Sequence, residues 1–199
     1  MESAEPTPVT DENDRDVALM KRVGAGDEDA FRQLIERHQN AVIGTVSKML
    51  GNTTDSEDIA QQVFLRIWKS AKRYKPSAKF TTYLYTITRN LVFNETRRRS
   101  RKKEVSSEDR AENSHAQIED TPDRRPDSEL LQAELQLAVD EAIASLPENQ
   151  RMAVILRRYE QLAYEEIADV LDTSVSSVKS LLFRARTTLR ESLERYLDQ

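Results

Sequence analysis

The sequence predicts an all-α protein: two small helical domains joined by a flexible acidic linker. Apolar residues recur three and four apart through most of the chain, and no segment offers the strict alternation of a half-buried strand. A stretch rich in Ser, Glu and Asp interrupts that pattern near the middle. At 199 residues the chain is long enough for two modest cores.

Residues 1–16 carry a net charge of −5 and read as a disordered acidic tail. The first domain is expected over 17–103. Its first helix is marked by Val17, Leu19, Met20 and Val23, and Gly24-Ala25-Gly26-Asp27 breaks the pattern. Asp27 is placed to cap a second helix that carries Glu28 and Asp29 in its first turn and runs through Phe31, Leu34, Ile35, Val42, Val46, Met49 and Leu50. Gly51-Asn52-Thr53-Thr54 makes a turn, and a third helix bears Ile59, Val63, Phe64, Ile67 and Trp68. After a loop through Tyr74-Lys75-Pro76-Ser77, a fourth helix is expected from about Lys79 to Arg98, with Leu84, Ile87 and Leu91 facing the core.

Residues 104–129 carry −6, include Pro122 and Pro126, and have only Val105 and Ile118 as large aliphatics from Glu104 to Asp127, so they read as the linker. The second domain is expected over 130–199. It opens with an amphipathic helix from Leu130 to Ala144, and Pro147 suits the start of the next, Glu148 to Tyr159. Two more are expected at Tyr164 to Leu171 and Val175 to about Leu197. Only Leu171-Asp172-Thr173-Ser174 parts them, the length of a helix-turn-helix connection.

Composition narrows the chemistry. With no Cys and only His38 and His115, disulfides, thiolate nucleophiles and the usual zinc sites lack material. Four glycines leave little for a phosphate-cradling loop, so no cofactor and no catalytic residue are expected. No apolar run reaches the roughly 20 residues that span a bilayer, and the acidic N-terminus lacks signal-peptide order; a cytoplasmic protein without membrane insertion is expected.

The net charge of −5 conceals a segregation. Residues 17–103 hold 18 cations against 8 anions, and six of those cations fall within the seven residues Arg97 to Lys103. Such a block suits a polyanion, because Lys and Arg neutralise phosphates and release counterions; a merely solvated surface is the alternative. In the final helix Ser176, Ser177, Lys179, Ser180, Phe183, Arg184 and Arg186 share the face opposite Val175, Val178 and Leu182. Short polar groups at a helix N-terminus followed by cations can enter a major groove, although an ordinary helical hairpin has the same spacing.

Four stretches in order carry a resemblance: Asp29-Ala30-Phe31 with Leu34, then residues 55–68 (Asp55-Ser56-Glu57-Asp58-Ile59-Ala60-Gln61-Gln62 onward to Trp68), residues 80–90 (Phe80-Thr81-Thr82-Tyr83 onward to Asn90), and Leu146-Pro147-Glu148 through Arg186. The chain resembles bacterial RNA polymerase sigma factors of the extracytoplasmic-function (ECF) type. The resemblance implies that 17–103 is region 2, a helical bundle that binds core polymerase and recognises and melts the minus-ten element. It implies that 130–199 is region 4, whose helix-turn-helix reads the minus-thirty-five element.

By that resemblance Asp55, Asp58, Gln61, Gln62, Arg66 and Lys69 dock on the clamp coiled coil of the polymerase's largest subunit; Gln62 stands where the family usually has Glu. Tyr74, Lys75, Lys79, Phe80, Thr81, Tyr83, Arg89, Asn90, Arg97 and Arg98 are the minus-ten set, with Tyr74 and Asn90 gripping a flipped base. Aromatic platforms with nearby cations are what a melted single strand requires. Packing is the alternative for Phe80, Tyr83 replaces a common Trp, and Tyr85, Phe64 and Trp68 read as core. Ser176, Ser177, Lys179, Ser180, Phe183, Arg184 and Arg186 map to the minus-thirty-five contacts, with Leu181 where many relatives have Arg and Asp172 where Gly is common. The expectation of an anti-sigma partner covering both domains rests on the resemblance alone. The competing class is an autonomous helix-turn-helix repressor, which leaves the aromatic and basic first domain unemployed. A nuclease holding metal on Asp55, Glu57 and Asp58 is disfavoured, because those carboxylates suit a helix N-terminus.

Overall fold

The computed structural model describes residues 12–51, 54–106 and 127–197, and every regular element among them is helical. In the N-terminal module α1 (Glu12–Gly24), α2 (Glu28–Leu50) and α3 (Thr54–Ser70) lead through a short 3-10 turn, Ala71–Arg73, into α4 (Phe80–Ser106). The C-terminal module comprises α5 (Asp127–Ser145), α6 (Glu148–Arg158), α7 (Tyr164–Leu171), α8 (Val175–Ser192) and α9 (Glu194–Leu197).

The first helix begins earlier than its apolar pattern. Of the acidic tail expected over 1–16, residues 12–16 belong to α1, and residues 1–11 lie outside the described residues. The reason is Asp16, which is 2% exposed and accepts from Arg37 Nε at 2.7 Å with His38 Nε2 at 2.9 Å on its second oxygen. One turn earlier, Asn13 Oδ1 accepts the backbone N–H of Phe80 at 2.9 Å, giving the first turn of α4 a partner for an otherwise orphaned donor. Gly24 lies so close to the 3-10 turn that a Cβ there would stand 2.9 Å from the Ala71 carbonyl oxygen.

The turn chemistry behaves as its residues require. Asp27 Oδ1 accepts the Ala30 N–H at 2.9 Å, and Gly51 ends α2 at φ 72°. The fourth helix overruns its expected end at Arg98 and continues to Ser106. Glu95 explains this, since it pairs with Arg98 Nε at 2.7 Å and Arg99 Nε at 3.0 Å, offsetting repulsion within the basic run. The linker expected over 104–129 is correspondingly helical at both edges; residues 107–126 lie outside the described residues.

In the C-terminal module Ile167, Ala168 and Val170 of α7 share a buried cluster with Val178 and Leu182 of α8. Asp172 makes the connecting turn at φ 53° and ψ 55°, the left-handed geometry Asp tolerates better than most residues. Ser174 Oγ then caps α8 by accepting the Ser177 N–H at 3.1 Å. The last helix, expected unbroken to about Leu197, stops at Ser192 and resumes as α9.

The two modules pack together: α4 lies against α7, and α2 against α5 and α6. Their buried side chains form a single cluster that includes Val42, Val46, Val92 and Phe93 on one side and Ile143, Met152 and Leu156 on the other. At 25 cal/mol per Å² such apolar burial is the main attraction, and polar groups within it need partners. Tyr85 donates to Glu160 Oε2, and Thr45 Oγ1 donates to Glu160 Oε1 at 2.9 Å. Arg151 donates across the junction to the Met49 carbonyl at 2.6 Å, while its other nitrogen serves the Ala144 and Leu146 carbonyls.

Candidate nucleic-acid interface

The face of α8 turned away from its core is open. Ser176, Lys179, Ser180, Phe183, Arg184 and Arg186 are exposed, Phe183 at 69%, whereas Ser177 is half-buried beside its cap at Ser174. The buried positions Val178, Leu182 and Ala185 recur four and three apart on the opposite side. An apolar ring standing among hydroxyls and guanidinium groups has the composition of a groove-reading helix: cations for phosphate, hydroxyls for either base edge or phosphate, and an apolar group for a thymine methyl.

The aromatic surface is built at the start of α4. Tyr74 closes the 3-10 turn and is half-buried, its ring centroid 5.1 Å from Tyr83 and 6.5 Å from Phe80. Its hydroxyl is buried without a hydrogen-bond partner among the described residues. Burial, then the proximity of Tyr83 and Asp16, pushes that hydroxyl's pKa up. Tyr83 hydrogen-bonds Ser70 through its own hydroxyl and remains half-buried. Phe80 is 0% exposed and packs on His38 with ring centroids 5.2 Å apart, so in this structure it lies behind the surface on which the other expected minus-ten residues sit. A phenylalanine at the first position of α4 fills the space behind Tyr74 and Tyr83 and supports them.

Helical spacing puts Tyr83, Asn90, Arg97 and Arg101 in one stripe along α4. Asn90, Arg97 and Arg101 are exposed, as is Lys75 in the loop, and Thr81 is half-buried. Arg89 lies on the neighbouring stripe, where its Nε donates to the Val170 carbonyl at 3.0 Å and its guanidinium stands 5.6 Å from the Phe93 ring. Lys79 pairs with Glu166 at 3.2 Å. Arg98 is exposed but engaged by Glu95, and Arg99 reaches Asp55.

That last pair alters the third expected surface. Asp58, Gln61, Gln62, Arg66 and Lys69 are exposed along α3, whereas Asp55 is half-buried and tied to Arg99. Leu65, 50% exposed within this otherwise polar face, escaped the sequence reading. So did the groove beside it, 1160 Å³ in volume, whose floor includes Ile35, Phe64 and Trp68, with Phe31 and Trp68 ring centroids 4.9 Å apart. The signal was present in the near-continuous run Val63, Phe64, Leu65, Ile67, Trp68, which exceeds what a single buried stripe can absorb.

Two helical modules, one presenting an aromatic and cationic strip and the other an open helix-turn-helix, define a nucleic-acid-binding transcription protein. The profile of sigma-70 region 2 matches residues 34–102, and that of sigma-70 region 4 matches residues 136–189. The chain is 34% identical to the ECF RNA polymerase sigma-E factor of Haemophilus influenzae over 90% of its own length and 95% of that protein's. It is 31% identical to the RNA polymerase sigma-H factor of Pseudomonas aeruginosa, over 94% and 97% of the two lengths. The fold is similar to that of CnrH in complex with the cytosolic domain of CnrY, with TM-score 0.68, 24% identity, and coverage of 92% of this chain and 99% of that one. It is also similar to the sigma factor RpoE of Bartonella quintana in complex with the anti-sigma factor NepR, with TM-score 0.66, 22% identity, and coverage of 82% and 96%. The chain belongs to the ECF family of RNA polymerase sigma factors. Its function is that of a sigma factor, directing transcription initiation.

Proposed function

We propose that the chain is a non-catalytic cytoplasmic specificity subunit whose three open surfaces divide promoter work among themselves. Asp58, Gln61, Gln62, Arg66 and Lys69, with the exposed Leu65 among them, bind the clamp coiled coil of core polymerase. Tyr74, Tyr83 and Asn90 hold minus-ten bases out of the stack, with Lys75, Lys79, Thr81, Arg89, Arg97 and Arg98 along the backbone. The exposed α8 set reads the minus-thirty-five duplex. Asp55 and Phe80 act indirectly, through Arg99 and through the aromatic support behind Tyr74. No helix among the described residues is long and apolar enough to cross a membrane, consistent with a cytoplasmic site of action.

The observation that carries this reading is the polar face of α8, open to solvent with Phe183 exposed in its midst, in a chain whose other module sets two tyrosine rings against each other beside cations. The solved complex of RpoE with the anti-sigma factor NepR extends the proposal to an anti-sigma protein here. Run-off transcription with purified core polymerase and genomic promoter fragments tests the function. Promoter-specific transcripts that need the added chain are expected, with loss of minus-thirty-five dependence in Lys179→Ala and Arg184→Ala. Tight duplex operator binding by the free chain, with no transcription on adding core, would overturn the reading in favour of a repressor.

A further inference from the structure

Helix α4 begins without a capping group of its own. The residue before it is Lys79, whose carbonyl accepts the Tyr83 N–H at 3.3 Å but whose side chain has no oxygen to offer the first-turn donors. The acceptor comes from 67 residues away: Asn13 Oδ1 takes the Phe80 N–H at 2.9 Å. Asn13 is half-buried and lies ahead of residues 34–102, the part of the chain that the region 2 profile matches.

Two further contacts fix this arrangement. Asp16, three residues on and on the same face of α1, is bound to α2 through Arg37 at 2.7 Å and His38 at 2.9 Å, which pins the start of α1 against α2. The His38 ring in turn stands 5.2 Å from the Phe80 ring. Phe80 is thus held twice, by its backbone from α1 and by its ring from α2. Its ring centroid lies 6.5 Å from that of Tyr74 and 6.3 Å from that of Tyr83. Tyr83 has a polar anchor, because its hydroxyl meets Ser70. Tyr74 has none among the described residues: its hydroxyl is buried without a hydrogen bond, so ring packing decides where it lies. A ring placed by packing moves with its support.

We propose that Asn13 is a positioning residue for minus-ten base capture: it caps α4 from outside the helix and, through the Phe80 backbone, sets the Tyr74 and Tyr83 rings. It acts through Phe80 and needs no contact with DNA. The proposal rests on the reading of Tyr74 and Tyr83 as the surface that takes the melted strand.

Full-length chains carrying Asn13→Ala and Asn13→Asp separate the acceptor from the rest of the side chain. Asp keeps an oxygen acceptor and adds the negative charge that a helix N-terminus favours, while it removes the amide donor. Amide exchange by NMR reads the cap at Phe80. Anisotropy of the holoenzyme on the non-template single strand of a promoter found by run-off transcription reads base capture. All measurements are made where circular dichroism shows full helicity. In Asn13→Ala the Phe80 amide should exchange roughly fivefold faster, the factor that one capping hydrogen bond sets, and strand affinity should fall by a similar factor with affinity for core unchanged. Asn13→Asp should restore both. A purely structural Asn13 lowers the melting temperature but leaves strand affinity at the parent value below it, and that result overturns the proposal. So does an unchanged Phe80 exchange rate in Asn13→Ala, or a failure of Asn13→Asp to restore strand affinity. Tyr74→Ala is the control for the underlying reading. Weakened binding there with parent affinity in Asn13→Ala strikes the positioning alone, whereas parent affinity in both strikes the minus-ten surface and the positioning with it.

Discussion

Asp16 sits where patterning places a solvated tail, yet it is among the least exposed charged groups of the chain. Burial pushes its carboxyl up, but the hydrogen bond and charge of His38, then those of Arg37, overcome that and hold its pKa below the ordinary aspartate value of 3.8. A depressed folded-state pKa stabilises the fold above the ordinary value, and that stabilisation is lost as pH falls through the folded value. Asp16→Asn should therefore cost about 1–3 kcal/mol at neutral pH, as expected for a buried charge-assisted hydrogen bond. In urea unfolding the gap between variant and parent should shrink progressively below pH 4. Phe80 and Asn90 separate support from contact. Phe80→Ala should destabilise by about 3–5 kcal/mol, the range for emptying an aromatic core site. Asn90→Ala should leave the denaturation midpoint in place and reduce permanganate reactivity of promoter thymines in the holoenzyme. Asn90 was named through the resemblance alone, and the structure leaves it exposed; Phe80 was ambiguous because aromatic side chains serve stacking and core alike.

Helices whose ends are governed by local chemistry were legible. Asp27 and the helix-turn-helix spacing around Asp172 need only residues within one turn of each other, and the structure places them accordingly. The overrun of α4 was not, because it depends on Glu95 answering a basic run that by itself reads as unfavourable for a helix. Asp172 supplies a test of the turn. Asp172→Gly should hold or raise the melting temperature, since Gly adopts a positive φ without a side-chain clash. Asp172→Val should lower it, because a β-branched residue is a genuine outlier there. Gly24 has the opposite sensitivity: Gly24→Ala drives a Cβ toward the Ala71 carbonyl and should lower the melting temperature. On α8, Lys179→Ala and Arg184→Ala should each weaken duplex binding at the minus-thirty-five element. The base-edge contact should cost about 1–3 kcal/mol and relax specificity at one position, whereas a phosphate contact should weaken all sequences alike and lower the salt slope by about 1. Anisotropy titrations at several salt concentrations separate the two.

At the scale of the whole molecule, the partition of charge had physical meaning that the average of −5 concealed: the +10 segment contains the whole aromatic and cationic strip of α4. The docking of the modules was not legible. Thr45, Tyr85 and Glu160 are 40 and 75 residues apart in sequence, and none belongs to a periodic pattern that distinguishes an interface from a core. The groove beside α3 left a trace in the apolar run from Val63 to Trp68, but its wall was not legible, since Trp68 and Phe31 read simply as two core positions on different helices. Because both modules belong to one chain, their docking is an intramolecular equilibrium. Two modules carried on one chain meet at an effective concentration on the order of millimolar. An interface as weak as a transient encounter, with Kd near 0.1 mM or about 5.5 kcal/mol, then keeps nine chains in ten closed. Energy transfer between dyes placed one on each module should accordingly be unchanged by dilution from micromolar to nanomolar protein. The same arithmetic makes the closed state easy to tip: a loss of about 1.4 kcal/mol at the junction brings open and closed chains to near parity.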